Sequence, residues 1–80
     1  MSAVSSAHIS TAELHDCIER VLREAGHPLG IWAIYYGVRA YLPAIANRWT
    51  APGSGLGQQL RFSNGRFVKD KETREWRIAD

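Results

Sequence analysis

The order of apolar and polar positions divides the chain into three helical stretches followed by a strand-like hairpin. Apolar residues recur at three- and four-residue spacing over residues 14–25, which is typical of one buried helix face. A second apolar stripe follows in residues 31–42, and a shorter one in residues 56–62. From Phe67 onward, apolar and charged residues alternate, which is the period of a half-buried strand. The pattern therefore changes from helical to strand-like near the C-terminal end.

Local signals place the ends of the first two helices. Ser10-Thr-Ala-Glu13 fits a capping box, and Gly26 followed by Pro28 is a stop signal. Gly37 inside the second helix costs about 1 kcal/mol relative to alanine, and we expect it to admit another element closely. Pro43 either ends this helix or begins a short new turn.

The third helix and the hairpin are shorter. We expect the helix over residues 56–62 with Ser54 as its cap, and Ser63-Asn64-Gly65 as a turn that tolerates positive φ. The hairpin has Asp70-Lys-Glu-Thr73 as its polar tip. The candidates for inward positions in this part of the chain are Leu56, Leu60, Phe62, Phe67, Trp76 and Ile78.

Eighty residues suffice for one domain. Residues 1–9 are predicted to be a flexible leader and residues 10–80 the domain. The order helix, short link, helix, turn, helix and hairpin predicts an α+β fold, namely a three-helix winged helix-turn-helix with a C-terminal β-hairpin wing.

Two segments resemble a known family. Val21-Leu-Arg-Glu-Ala-Gly-His-Pro-Leu29 is similar to the end of the first helix in HARE-HTH and related small winged-helix domains, and Gly65-Arg-Phe-Val68 with Trp76-Arg-Ile78 resembles their wing. The likeness covers about residues 12–79. It implies that the third helix enters the DNA major groove and that the wing touches the adjacent backbone or minor groove.

Charge is distributed unevenly, although the net charge is only +2. No Asp or Glu occurs between Glu24 and Asp70, whereas several arginines and Lys69 lie in or at the end of that interval. Such a region avoids repelling a phosphate backbone. The alternative is an apolar core decorated with a few solvated arginines, and charge alone does not separate the two.

The candidate DNA contacts fall into two groups. Gln58 and Gln59 can pair with adenine and Arg61 with guanine, so they are candidate base readers. The candidate phosphate contacts are Ser54 with the free N–H groups of the third helix, Arg66, Lys69, Lys71 and Arg74.

Two aromatic residues, Trp32 and Tyr36, fall off the buried stripe of the second helix. They either cover the first helix or form an exposed patch for a protein partner or a second copy of the chain.

Other classes of function find little support. Cys17 is the sole cysteine and is expected to be buried, and His8, His15 and His27 lack metal-ligand spacing and are expected at the surface or its boundary. No catalytic triad or phosphate-binding loop is readable. We therefore expect no enzyme activity, no metal and no cofactor.

No apolar run approaches the roughly 20 residues of a membrane helix, and the N-terminus lacks the pattern of a signal peptide. The sequence thus predicts a cytoplasmic protein that binds double-stranded DNA as a transcriptional regulator or accessory factor. The alternative is a winged-helix protein-interaction module that docks on or inhibits a larger complex.

Overall fold

The computed structural model describes residues 9–79, so the predicted leader lies, apart from Ile9, outside the described residues. These residues form three α-helices, one 3₁₀ helix and one antiparallel hairpin, which is the predicted α+β fold with a β-hairpin wing. The elements are α1 (Thr11–Ala25), α2 (Ile31–Tyr41), the 3₁₀ helix (Pro43–Asn47), α3 (Pro52–Arg61), β1 (Phe67–Lys69) and β2 (Trp76–Ile78).

Helix α1 is set by its caps, as predicted. The Ser10 hydroxyl accepts from the Glu13 N–H at 3.0 Å, and the Ser10 N–H donates to Glu13 Oε1 at 3.2 Å. Gly26 adopts φ 74° at the other end, a left-handed conformation that favours glycine. The predicted inner face is buried, including Cys17. This face supplies one wall of the core.

Helix α2 ends at Tyr41, one residue earlier than predicted. Pro43 begins the 3₁₀ helix, so of its two predicted roles it has that of starting a short new turn. The buried residues of α2 are Ile34, Tyr35 and Val38. A Cβ at Gly37 would lie 2.6 Å from Val21 Cγ1, so glycine allows α1 and α2 to approach closely, as expected.

Helix α3 begins four residues before its predicted start. Pro52 occupies an early position that suits its missing N–H, and Ala51 is the N-cap without any side-chain bond. The prediction of Ser54 as the cap was therefore wrong, because Ser54 lies inside the first turn. Gly55 lies against the Trp49 indole, and this tertiary contact compensates for the weak helix propensity of a glycine-rich segment.

The wing is a short antiparallel pair whose buried anchors are Phe67 and Trp76, as predicted. Trp76 stands opposite Lys69 in the register and also pairs with Leu29 in the link between α1 and α2. The Leu29 N–H donates to the Trp76 carbonyl at 3.0 Å, and the Trp76 N–H donates to the Leu29 carbonyl at 2.7 Å. The hairpin is thereby tied to the helical body.

Two side chains lie where the sequence did not predict them. Phe62, a candidate for the core, is 72% exposed, and the neighbouring Ser63 is buried instead. His15, expected at the surface, is buried with its ring edge-to-face against Phe67. His15 shares α1's inner face with Leu14 and Ile18, so its position on the helix decides its burial.

The contact between Gly55 and Trp49 yields a stability prediction. Gly55→Ala places a methyl within van der Waals overlap of the indole ring, so we expect a loss of about 1–3 kcal/mol in the free energy of unfolding. Gly57→Ala is the matched control in the same helix, because its Cβ would meet nothing within 4 Å. We expect it to gain about 0.5–1 kcal/mol. Urea denaturation measures both, and equal effects of the two substitutions would contradict the proposed close contact.

Candidate nucleic-acid interface

One side of α3 carries polar side chains exposed to solvent. Ser54, Gln58 and Arg61 are all exposed, whereas Leu56 and Leu60 are fully buried. At about 100° per residue, the three polar positions fall within one narrow arc opposite the two leucines. Their side chains make no hydrogen bond or ion pair with any of residues 9–79. We call this set the α3 stripe; it is free to contact a ligand.

The other predicted base reader lies differently. Gln59 is half-buried and lies beside the arc, about 100° from Gln58 around the helix axis. The structure therefore brings Gln58 and Arg61 together with Ser54, and it does not bring Gln59 to the same face. The first intrahelical bond joins the Gly55 N–H to the Ala51 carbonyl, so the Gly53 and Ser54 N–H groups have no acceptor within the helix.

The wing tip is organised by Asp70. Its Oδ1 accepts from the N–H groups of Glu72 at 2.8 Å and Thr73 at 3.3 Å, and Arg74 turns the chain with φ 62°. Lys71 and Arg74 are exposed and have no side-chain partner among residues 9–79. Lys69 places its Nζ 6.0 Å from the centre of the Trp76 ring. The tip thus presents two uncommitted cations on a turn whose backbone is held by its own hydrogen bonds.

Arg66 lies in a different environment from the other predicted phosphate contacts. Its Nη2 donates to Asp16 Oδ1 and to Glu19 Oε1, each at 2.7 Å, and its Nε donates to Glu19 Oε1 at 3.1 Å. These bonds to two α1 carboxylates raise the pKa of Arg66. Arg66 joins the start of the wing to α1, and we therefore remove it from the candidate interface.

The carboxylates of α1 are largely engaged by neighbouring residues. Hydrogen bonds from Arg66 and Arg23 hold the pKa of Glu19 below its usual value. Hydrogen bonds from Tyr41 and Arg20 lower the pKa of Glu24 in the same way. The negative charge of Glu19 and Glu24 is thus compensated by partners on α1 itself and by Arg66 and Tyr41, which pack against it.

Trp32 and Tyr36 form an exposed aromatic patch on α2. They are 51% and 58% exposed, with ring centres 6.3 Å apart. A Cβ at Gly53 would lie 3.5 Å from Trp32 Cζ2, so the indole lies beside the first turn of α3. The aromatic patch therefore adjoins the N-terminal end of the helix that carries the α3 stripe.

Sequence reasoning missed one member of the exposed face. Phe62 follows Gln58 by four residues and Ser54 by eight, so it extends the α3 stripe at helical spacing. That spacing was visible in the sequence, but a large apolar residue such as phenylalanine is normally assigned to the core. The sequence also gives no sign that the neighbouring Ser63 is buried in place of Phe62.

The described residues hold no group of metal ligands and no helix suited to a membrane. No three His, Cys, Asp or Glu side chains within residues 9–79 are grouped so that they can hold a metal ion. In the same part of the chain, no helix is long and apolar enough to cross a membrane.

The ion pairs of Arg66 predict a pH-dependent contribution to stability. A carboxylate whose pKa is lowered by folding stabilises the protein above its unfolded pKa, about 4.5 for Glu19, and loses that effect as pH falls toward the folded pKa. We expect Arg66→Ala to cost about 1 kcal/mol near neutral pH and less near about pH 3. Arg61→Ala, which removes an uncommitted cation, should change stability by less than about 0.5 kcal/mol. Denaturant titrations measure both, and an Arg66→Ala loss that is independent of pH would contradict the assignment.

Comparison with known proteins gives no match to this chain. No family model, no curated protein and no solved structure matches it. Its candidate chemistry therefore rests on its own residues and their geometry.

Proposed function

We propose that this chain is a cytoplasmic winged-helix protein that binds double-stranded DNA, as a transcriptional regulator or DNA-binding accessory factor. The observation that carries the proposal is the contrast in how charges are used. The α1 carboxylates Glu19 and Glu24 are engaged in ion pairs, whereas Arg61, Lys71 and Arg74 have no partner among residues 9–79. Uncommitted cations are available to replace the counterions of a phosphate backbone.

The roles divide between the two elements. In this proposal α3 lies in the major groove, where Gln58 can pair with adenine and Arg61 with guanine. Ser54 and the free N–H groups of the first turn face a phosphate. The wing supplies Lys71 and Arg74 as sequence-independent phosphate contacts, with Lys69 beside them.

The resemblance to HARE-HTH and related winged-helix domains agrees with these roles. It rests on the Gly26-His-Pro-Leu29 link and on the strands that contain Phe67 and Trp76. The hydrogen-bonded pairing of Leu29 with Trp76 joins that link directly to the wing. Superfamily membership is part of the proposal.

A second candidate is a protein-interaction module on the same fold, and the observation that favours it is the aromatic patch. Trp32 and Tyr36 present adjacent rings to solvent, and aromatic side chains dominate the binding energy of many protein interfaces. Sedimentation of the wild type and of a Trp32→Ala/Tyr36→Ala variant tests whether this partner is a second copy of the chain. A concentration-dependent dimer that the variant abolishes would support it, and a monomer at all concentrations would exclude self-association.

Titration of mixed-sequence duplex DNA at several salt concentrations tests the leading proposal. We expect Lys71→Ala/Arg74→Ala to weaken binding on all sequences. The slope of the logarithm of the binding constant against the logarithm of the salt concentration, called the salt slope, should fall in magnitude by about 2, one unit for each phosphate contact. Arg20→Ala/Arg23→Ala on α1 is the matched control, because it removes the same amount of charge from residues paired with carboxylates.

In the same titration, we expect Gln58→Ala to change sequence preference with little effect on the salt slope. Absence of binding by the wild type at low salt would overturn the proposed function. A loss as large in the α1 control as in the wing variant would overturn the assignment of the wing.

A further inference from the structure

Phe62 is the most exposed large apolar side chain in the part of the chain that the structure describes. It is 72% exposed, compared with 58% for Tyr36 and 51% for Trp32. The next residue, Ser63, is 6% exposed. An exposed phenylalanine beside a buried serine reverses the usual preference of both residue types. Positions that break a local rule in this manner are often functional.

The hydrogen bonds around Ser63 hold Phe62 in its outward position. The buried Ser63 hydroxyl donates to the Leu60 carbonyl at 2.7 Å and accepts from the Phe67 N–H at 3.3 Å. The Phe62 N–H itself donates to the Gln58 carbonyl at 2.9 Å. Turning Phe62 inward would require Ser63 to leave these partners. The ring is thus presented by a fixed backbone at the C-terminal end of α3.

The surroundings of Phe62 argue against an ordinary protein-docking anchor. Such anchors are usually ringed by contacts that exclude water. The residues that share the exposed arc of α3 with Phe62 are Ser54, Gln58 and Arg61, all of which are polar and without side-chain partners among residues 9–79. A single apolar ring beside hydrogen-bonding groups suits a ligand that alternates polar edges with small apolar groups.

The major groove of DNA has that character. Adenine presents a donor and an acceptor that match a glutamine amide, and the paired thymine presents its C5-methyl group beside them. We infer that Phe62 is a specificity-determining residue that packs on a thymine methyl group next to an adenine read by Gln58. This inference rests on the proposed function and adds to it a preference for A·T pairs. A contact with the thymine methyl would also favour DNA over duplex RNA, because uracil lacks that methyl and the RNA major groove is deep and narrow.

The test isolates the methyl group. Sequences are first enriched by the wild-type protein from a random thymine-containing duplex pool and are then synthesised in two forms, one with thymine and one with deoxyuridine. The two duplexes differ only in the C5-methyl groups. Fluorescence anisotropy at a fixed low salt concentration gives the dissociation constant of each duplex.

We expect the wild type to bind the thymine duplex about fourfold more tightly for each methyl contacted, which corresponds to about 0.8 kcal/mol for one buried carbon. Phe62→Ala should bind both duplexes equally, with an affinity near that of the wild type for the deoxyuridine form. Tyr36→Ala is the matched control, since it removes an exposed aromatic ring from α2 and should retain the discrimination. Phe62 is exposed, so its removal should leave the fold intact.

The outcomes distinguish the inference from the proposed function. If the wild type enriches no sequence, or binds neither duplex, both the inference and the proposed function are overturned. Equal binding of the two duplexes by the wild type would overturn the inference and leave DNA binding standing. Retention of the discrimination by Phe62→Ala, or enrichment of sequences without A·T pairs, would also overturn the role of Phe62.

Discussion

The pairing of Trp76 with Leu29 is the constraint on which the rest of the structure depends. A two-stranded hairpin with three residues in each strand is not stable alone in water. Two backbone hydrogen bonds to Leu29 give β2 a second neighbour, and the buried Trp76 side chain adds its apolar surface to the core. Because Leu29 lies between α1 and α2, the same contact fixes the link, the wing and the position of both helices relative to them.

The ion pairs within residues 9–79 all include a side chain of α1. Arg66 draws the start of the wing onto α1 by binding Asp16 and Glu19, and the remaining α1 carboxylates have partners of their own. The cations of α3 and of the wing tip are left out of these networks. Arg61, Lys71 and Arg74 are thus available to a ligand, and Glu72 and Glu75 beside the two wing cations reduce the local positive charge.

The sequence was sufficient where a local rule and the tertiary structure agree. The Ser10–Glu13 capping box, the end of α1 at Gly26 and the alternation around Phe67 and Trp76 all act over a few residues, and each is predicted from the sequence. Sequence reasoning failed where distant contacts decide. The role of Arg66 depends on Asp16, which lies 50 residues away in the sequence, and this contact is not visible in a local pattern.

The wing tip lies outside these constraints. The ladder between β1 and β2 ends at Lys69 and Trp76, and Asp70 closes the turn through bonds to its own backbone neighbours. No buried residue lies between Asp70 and Glu75. Evolution can therefore lengthen, shorten or recharge this loop while the helices and the Trp76 anchor stay as they are. The same fold can therefore acquire a different ligand through substitutions at this one exposed turn.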